Sequence, residues 1–292
     1  MMVMRAGLLA AALTGLVDIT QAQPLQSPTQ AEICAAVPVA EQRDLAMLNT
    51  LMVEPKKFTS LADLFKTLPP ETRAKLGEMQ KAAADRQAKD WPWLCRYAAE
   101  NEAVLKSGVQ PKVIFIGDSI TENWILADPS LFSATVLDRG IGGQTTPQIL
   151  LRFTQDVVAL RPQVVHIMAG TNDISGNTGA ITDEAIVQNI RAMIDIAKAN
   201  GIKVVLASIT PSKQFVARPN VDPSGRIAAV NRALVKLAAE KKITYVDYFP
   251  ALADTAGGLA DALGNDGLHP NRDGYAAMRP LTDKAIKRAG KK

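Results

Sequence analysis

From Pro111 onward the chain alternates between two apolar patterns, and that alternation restricts the fold more than any other feature of the sequence. Nearly unbroken apolar runs of strand length stand at Val113–Ile116, Ala134–Leu137, Val164–Met168, Val204–Ala207 and Ile243–Val246. Between them lie stretches whose apolar residues recur at helical spacing, at about Thr146–Leu160, Thr182–Asn200 and Ser224–Lys241. A final helical stretch covers Gly274–Arg288. Parallel strands cannot be joined by a tight turn, so strand–helix alternation predicts a parallel α/β sheet covered on both faces. Five such strands, joined by right-handed crossovers, fit the flavodoxin-like order 2-1-3-4-5.

The chain before Pro111 reads differently. Leu45, Leu48, Leu51 and Met52 recur at helical spacing, and a second helix starts at Pro69-Pro70-Glu71 and runs through Leu76 and Met79. A third, near Trp93 to Leu105, carries Leu94, Tyr97, Ala98 and Val104. No strand pattern interrupts them. Residues 23–110 are therefore expected to form a helical extension packed on a main domain of residues 111–292.

The first residues read as a targeting signal. Arg5 precedes an apolar run from Ala6 to Val17, and Thr20-Gln21-Ala22 offers a small-residue cleavage site. Residues 1–22 are expected to be a signal peptide, and the mature protein to be periplasmic or secreted. The run is too short for a stable membrane span, and no cysteine follows it at a lipidation position. In an oxidising compartment the only two cysteines, Cys34 and Cys95, are expected to pair. With two histidines and no CxxC motif there is no zinc pattern, and no metal or cofactor is expected. The net charge of +4 is concentrated in the tail from Lys284 to Lys292, read as a solvated helix end rather than a nucleic-acid site.

In parallel sheets of this kind ligands bind beyond the carboxyl ends of the strands, and the polar and Gly-rich stretches fall there. Ser119 follows the first strand, Arg139-Gly140-Ile141-Gly142-Gly143 the second, and Ala169-Gly170-Thr171-Asn172-Asp173 the third. The loop from Pro211 to Pro223 follows the fourth, and Asp266-Gly267-Leu268-His269 lies beyond the fifth. Ser119 at a strand-to-helix turn can present its hydroxyl, His269 can take its proton, and Asp266 can fix the imidazole tautomer. Three donors, the Ser119 N–H, the Gly143 N–H and the Asn172 side chain, would serve a tetrahedral oxyanion. Read singly, each stretch has a plainer meaning: a turn at Ser119, a helix N-cap at Asn172, a structural histidine before Pro270. Gly140–Gly143 also suggests a phosphate loop, but Thr145 and Thr146 stand where the dinucleotide fingerprint wants glycine, and no P-loop lysine follows. His166 lies inside the third strand and reads as a core residue.

Taken together, Gly117-Asp118-Ser119-Ile120, Gly140-Ile141-Gly142-Gly143, Gly170-Thr171-Asn172-Asp173 and Asp266-Gly267-Leu268-His269-Pro270 resemble the ordered blocks of the SGNH, or GDSL, hydrolase superfamily. The resemblance covers roughly residues 112–288 and is closest to the branch of the platelet-activating-factor acetylhydrolase catalytic subunits. It implies a three-layer α/β/α fold, a nucleophile at Ser119, an Asp266–His269 pair and oxyanion donors at Ser119, Gly143 and Asn172. It assigns no role to the helical extension. The function expected is an exported serine esterase acting without a cofactor on a small-molecule or glycan ester with a short acyl group. Rivals are a non-catalytic carbohydrate- or envelope-binding module on the same frame, and a phosphoester hydrolase.

Overall fold

One parallel sheet organises the main domain, in the order β2-β1-β3-β4-β5. Its strands are β1 (Val113–Gly117), β2 (Val136–Gly140), β3 (Val164–Met168), β4 (Lys203–Ala207) and β5 (Thr244–Val246). The structure is a computed structural model that describes residues 68–215 and 221–291, with 29–35, 53–54 and positions 27, 37 and 66. The leader at 1–22, the recurrence at Leu45–Met52 and part of the Pro211–Pro223 loop lie outside the described residues.

Alternation along the strands builds two cores. Ile114 and Ile116 of β1 join a core with Ile149, Phe153, Ile190 and Leu234, beneath helices Thr146–Asp156, Asp183–Ala199 and Ser224–Lys241. Val113 and Phe115 turn to the opposite face, where Trp124, Tyr248, Tyr275 and Met278 pack and helix Arg272–Lys291 covers the sheet. Burying each large side chain in these layers contributes about 1.5–3 kcal/mol. Both faces are covered, as the continuous apolar strands require. Trp124, beside the rim in sequence, is fully buried.

Helix starts follow local chemistry. Thr145 and Gln148 form a capping box at Thr146–Asp156, and the Thr182 hydroxyl accepts from Ala185 N–H at 3.2 Å. Several boundaries differ from expectation. The expected helix to Leu160 ends at Asp156, and a 3-10 turn, Val158–Leu160, follows. The last helix runs Arg272–Lys291 rather than starting at Gly274. The second strand is Val136–Gly140, not Ala134–Leu137. Asp138 and Arg139 looked like loop residues, but tertiary partners make them acceptable inside a strand. Asp138 Oδ1 accepts from Gly140 N–H at 2.6 Å, and Arg139 Nε donates to Asn101 Oδ1 at 2.8 Å.

The described part of the extension contains helices Gln30–Ala35, Pro70–Lys89 and Ala98–Ser107. The last starts later than expected, because residues 91–97 form turns, with Trp93 in the left-handed region at φ 54°. Cys34 and Cys95 are disulfide-bonded across a separation of 61 residues, a closure worth about 4 kcal/mol in the chain-entropy account. The turns dock on the main domain through side chains aimed at backbone carbonyls. Gln144, Gln148 and Gln155 donate to Pro92, Trp91 and Leu94, at 2.7, 2.8 and 2.5 Å. Tyr97 Oη donates to the Gly140 carbonyl at 2.5 Å. At the other end of the rim, the Asn265 amide donates to the Glu54 carbonyl and Arg272 pairs with the Glu54 carboxylate at 3.1 Å. No helix among the described residues is long and apolar enough to cross a membrane.

Candidate active site

The carboxyl end of β1 breaks directly into a short helix, Ser119–Glu122. Asp118 caps it by accepting from Ile120 N–H at 3.0 Å. Ser119 is thus the first helical residue, beyond the sheet edge, and its N–H belongs to the turn that has no intrahelical acceptor. The helix is pressed against β2: a Cβ on Gly140 would lie 2.1 Å from the Glu122 nitrogen, so only glycine permits this approach.

The loop after β5 brings the acid and the imidazole to the same place. The Ser119 hydroxyl lies 2.9 Å from His269 Nε2, and His269 Nδ1 lies 2.8 Å from Asp266 Oδ2. The second carboxylate oxygen, Oδ1, accepts the N–H groups of Leu268 and His269 at 3.0 and 2.7 Å. A carboxylate only accepts, so the ring proton sits on Nδ1 and Nε2 is free to accept from the serine.

The electrostatics agree with that assignment. Burial pushes Asp266 upward, but the His269 charge and three donated hydrogen bonds outweigh it and hold the carboxyl at about 2. Burial pulls His269 down, yet Asp266, with a smaller contribution from Asp118, raises it above the ordinary histidine value. Asp118 is raised by burial to about 6, against the opposing effects of the Ile120 N–H and His269.

Gly143 and Asn172 meet beside this group. Asn177 Nδ2 donates both to Asn172 Oδ1 at 2.8 Å and to the Gly143 carbonyl at 3.2 Å. With its oxygen occupied, the Asn172 amide has its orientation set; Nδ2 donates one hydrogen to the Gln144 carbonyl at 3.0 Å and keeps a second. Gly143 adopts φ 77°, and its N–H donates to no group among the described residues. Asn172 is not the helix N-cap; Gly170 holds that position for Thr171–Ser175. A Cβ on Gly142 would stand 3.6 Å from that of Ser119, so the loop after β2 borders the serine.

Beneath the loops lies a buried charge that the sequence reading missed. Arg152, fully buried, donates from Nε to Gln144 Oε1 at 2.6 Å and from Nη2 to the Gly117 carbonyl at 2.9 Å. Its Nη1 donates to the Arg139 carbonyl at 2.8 Å and to Asp156 Oδ2 at 2.9 Å. One side chain therefore ties the ends of β1 and β2 to Gln144, whose carbonyl takes the Asn172 amide. The available signal was a charged pair on the apolar stripe of an amphipathic helix, beside Ile149 and Phe153, where charges are rarely buried without a task. Asp173, which the third block includes without a role, accepts from Thr146 N–H and Oγ at 2.8 and 2.6 Å.

The other candidate groups lie elsewhere. His166 is fully buried against Phe115, with Nε2 2.9 Å from the Tyr248 hydroxyl. Arg139, placed by the sequence in the rim stretch after the second strand, is buried within β2. Lys213 is paired with Asp254 and Asp261, each at 3.0 Å. Among the described residues no three His, Cys, Asp or Glu side chains gather to hold a metal.

Known proteins share this fold and family. A proposed acylhydrolase from Bacteroides fragilis is 39% identical, with a TM-score of 0.65 over 69% of this chain and 99% of its own. A GDSL-like lipase from Bacteroides thetaiotaomicron is 38% identical, with the same TM-score over 68% of this chain and all of its own. The uncharacterized lipoprotein YqeF of Bacillus subtilis is 31% identical over 117 residues, 34% of this chain, and the matched segment spans 48% of that relative's length. The GDSL-like lipase/acylhydrolase family matches residues 115–277. The chain belongs to this family of carboxylic ester hydrolases.

Proposed function

We propose that residues 111–292 are the catalytic unit of an exported serine esterase. Ser119 attacks the ester carbonyl as His269 Nε2 takes its proton. The tetrahedral oxyanion is held by the Ser119 N–H, the Gly143 N–H and the Asn172 amide. His269 then gives its proton to the leaving alcohol, and water, activated by the same ring, hydrolyses the acyl-enzyme. Asp266 holds the Nδ1–H tautomer and balances the imidazolium. The observation that supports this reading is the unbroken path Ser119–His269–Asp266, with contacts of 2.9 and 2.8 Å.

The acyl group is short. The loops bordering Ser119 present Gly142, Gly143, Gln144 and Asn177, and among the described residues the adjoining cavity adds only Ala83, Trp93 and Ile141 as apolar walls, a small surface on which to reward each added methylene by about 0.8 kcal/mol. In this reading residues 1–22 are removed on export and 23–110 remain as the extension. The Cys34–Cys95 disulfide supports a compartment outside the cytoplasm, periplasmic or extracellular.

The test is hydrolysis of p-nitrophenyl esters together with labelling by a fluorophosphonate. The wild type should react at Ser119 and prefer acetate to butyrate esters over dodecanoate. Ser119→Ala should lose labelling and about 10⁶-fold in kcat. Near-native turnover by pure Ser119→Ala protein would overturn the mechanism, and kcat/KM rising steadily with chain length would overturn the short-acyl preference.

A further inference from the structure

A cavity of about 510 Å³ lies between the helical extension and the rim. Gly142, Gly143 and Asn177 form its rim side; Arg86 and Trp93 form its extension side. Gly142 and Gly143 line this space and Gly142 borders Ser119, so the cavity adjoins the loop beside the serine.

Arg86 is the one cation among the lining residues. Its guanidinium lies 3.9 Å above the Trp93 ring. Stacking keeps the planar fork at a fixed orientation while its N–H edges stay available. The other arginines around the loop after β2 have carboxylate partners: Arg96 meets Glu100 and Glu122, Arg139 meets Glu100, and Arg152 meets Asp156. Arg86 has no such ion pair among the described residues. The nearby Asp90 carboxylate attracts Arg86 through space without an ion-pair contact, and its oxygens accept from Leu94 and Cys95 N–H at 2.8 and 2.9 Å. The platform is also held at a cost: Trp93 keeps φ 54°, unusual for a bulky residue, and its buried Nε1 has no partner.

We propose that this cavity is a subsite for a carboxylate carried by the ester substrate, received by Arg86 on the Trp93 ring. The inference rests on the reading of Ser119 as nucleophile. A single guanidinium balances one negative charge, which favours a carboxylate over a phosphate monoester carrying nearly two. The carboxylate belongs either to the acyl half, as in a dicarboxylic half-ester, or to the alcohol half, as in an acylated uronic acid.

Two matched pairs separate these sources: monomethyl succinate against methyl butyrate, and methyl O-acetylglucuronide against methyl O-acetylglucoside. In at least one pair the wild type should favour the anionic member by about tenfold in kcat/KM, carried mainly by KM and shrinking with added salt. The pair that responds identifies the half. Arg86→Met, which keeps a stem on Trp93, should bring the ratio to about one, and Arg86→Lys should retain part of it. Absence of anionic preference from both pairs in the wild type, or its survival in Arg86→Met, would overturn the proposal. Failure of the underlying reading would appear separately, as p-nitrophenyl acetate turnover by Ser119→Ala.

Discussion

The chain's two histidines occupy regions that treat the same ring in opposite ways. His269 stands at the rim, against a carboxylate that already accepts two backbone N–H groups, and its affinity for a proton is raised. His166 lies in β3 among Phe115, Trp124 and Tyr248, where burial with no carboxylate partner drives it down to about 3. Burial alone lowers both. What separates them is the Asp266 side chain, three residues from one ring and absent from the other's surroundings. A histidine gains proton affinity where a loop supplies an acid, and packs as an aromatic filler where a strand carries it into the sheet.

The sharpest way to break this contrast is to exchange the burdens. His269→Ala should lower kcat by about 10⁶, close to the effect of losing the serine. Asp266→Asn should cost about 10⁴ if its task is to hold the tautomer. His166→Gln should lower stability while leaving kcat within a few-fold of wild type. Steady-state kinetics on folded protein decides this, and an essential His166 with a dispensable His269 would reverse the assignment.

A smaller effect is expected at the rim donor. Asn172→Ala should reduce kcat by about 10²–10³, or about 2.7–4 kcal/mol, with less change in KM, because the amide serves charge that develops in the transition state. An effect confined to KM would make Asn172 a ground-state contact instead.

The mildest effects are in pH. In the proposed mechanism His269 is the base only when neutral, and its affinity for a proton is raised, so kcat/KM should rise with pH through an apparent pKa above about 6.5. Asp266→Asn should move that limb downward. His166 gives the opposite sign in stability. Its folded-state value lies below the unfolded one, so the unfolded chain binds the extra proton and stability falls as pH drops from about 6.5 toward 3. The slope from one such group is at most about 1.4 kcal/mol per pH unit. Urea unfolding across that range should show a shallower dependence for His166→Gln than for wild type. Equal slopes would remove His166 as the cause.

Much of the main domain was legible because periodicity and turn chemistry are local. The helix expected at Ser224–Lys241 has those bounds, and β3 those of its apolar run. Ser119, Gly143, Asn172, Asp266 and His269 were legible as candidates because each follows a strand, and a parallel sheet places all such positions along one rim. The second strand was misplaced because Asp138 and Arg139 owe their burial to Gly140, Asn101 and Tyr97, contacts that no local pattern announces. Arg152 was missed for the same reason: its partners come from Gly117, Arg139, Gln144 and Asp156.

The sequence by itself therefore determined the architecture and which residues reach the rim, His269 among them and His166 not. These follow from apolar spacing, from glycine where backbones touch, and from an acid three residues from an imidazole. Only the tertiary structure decided how the extension meets the rim. The Gln144–Pro92, Gln148–Trp91 and Gln155–Leu94 contacts join residues more than fifty positions apart, as does the Cys34–Cys95 bridge. Their energies depend on a juxtaposition that exists only after the chain has folded. The Arg86–Trp93 wall beside Gly143 is their product, and nothing in the pattern of residues 70–93 taken alone marks it as part of a site.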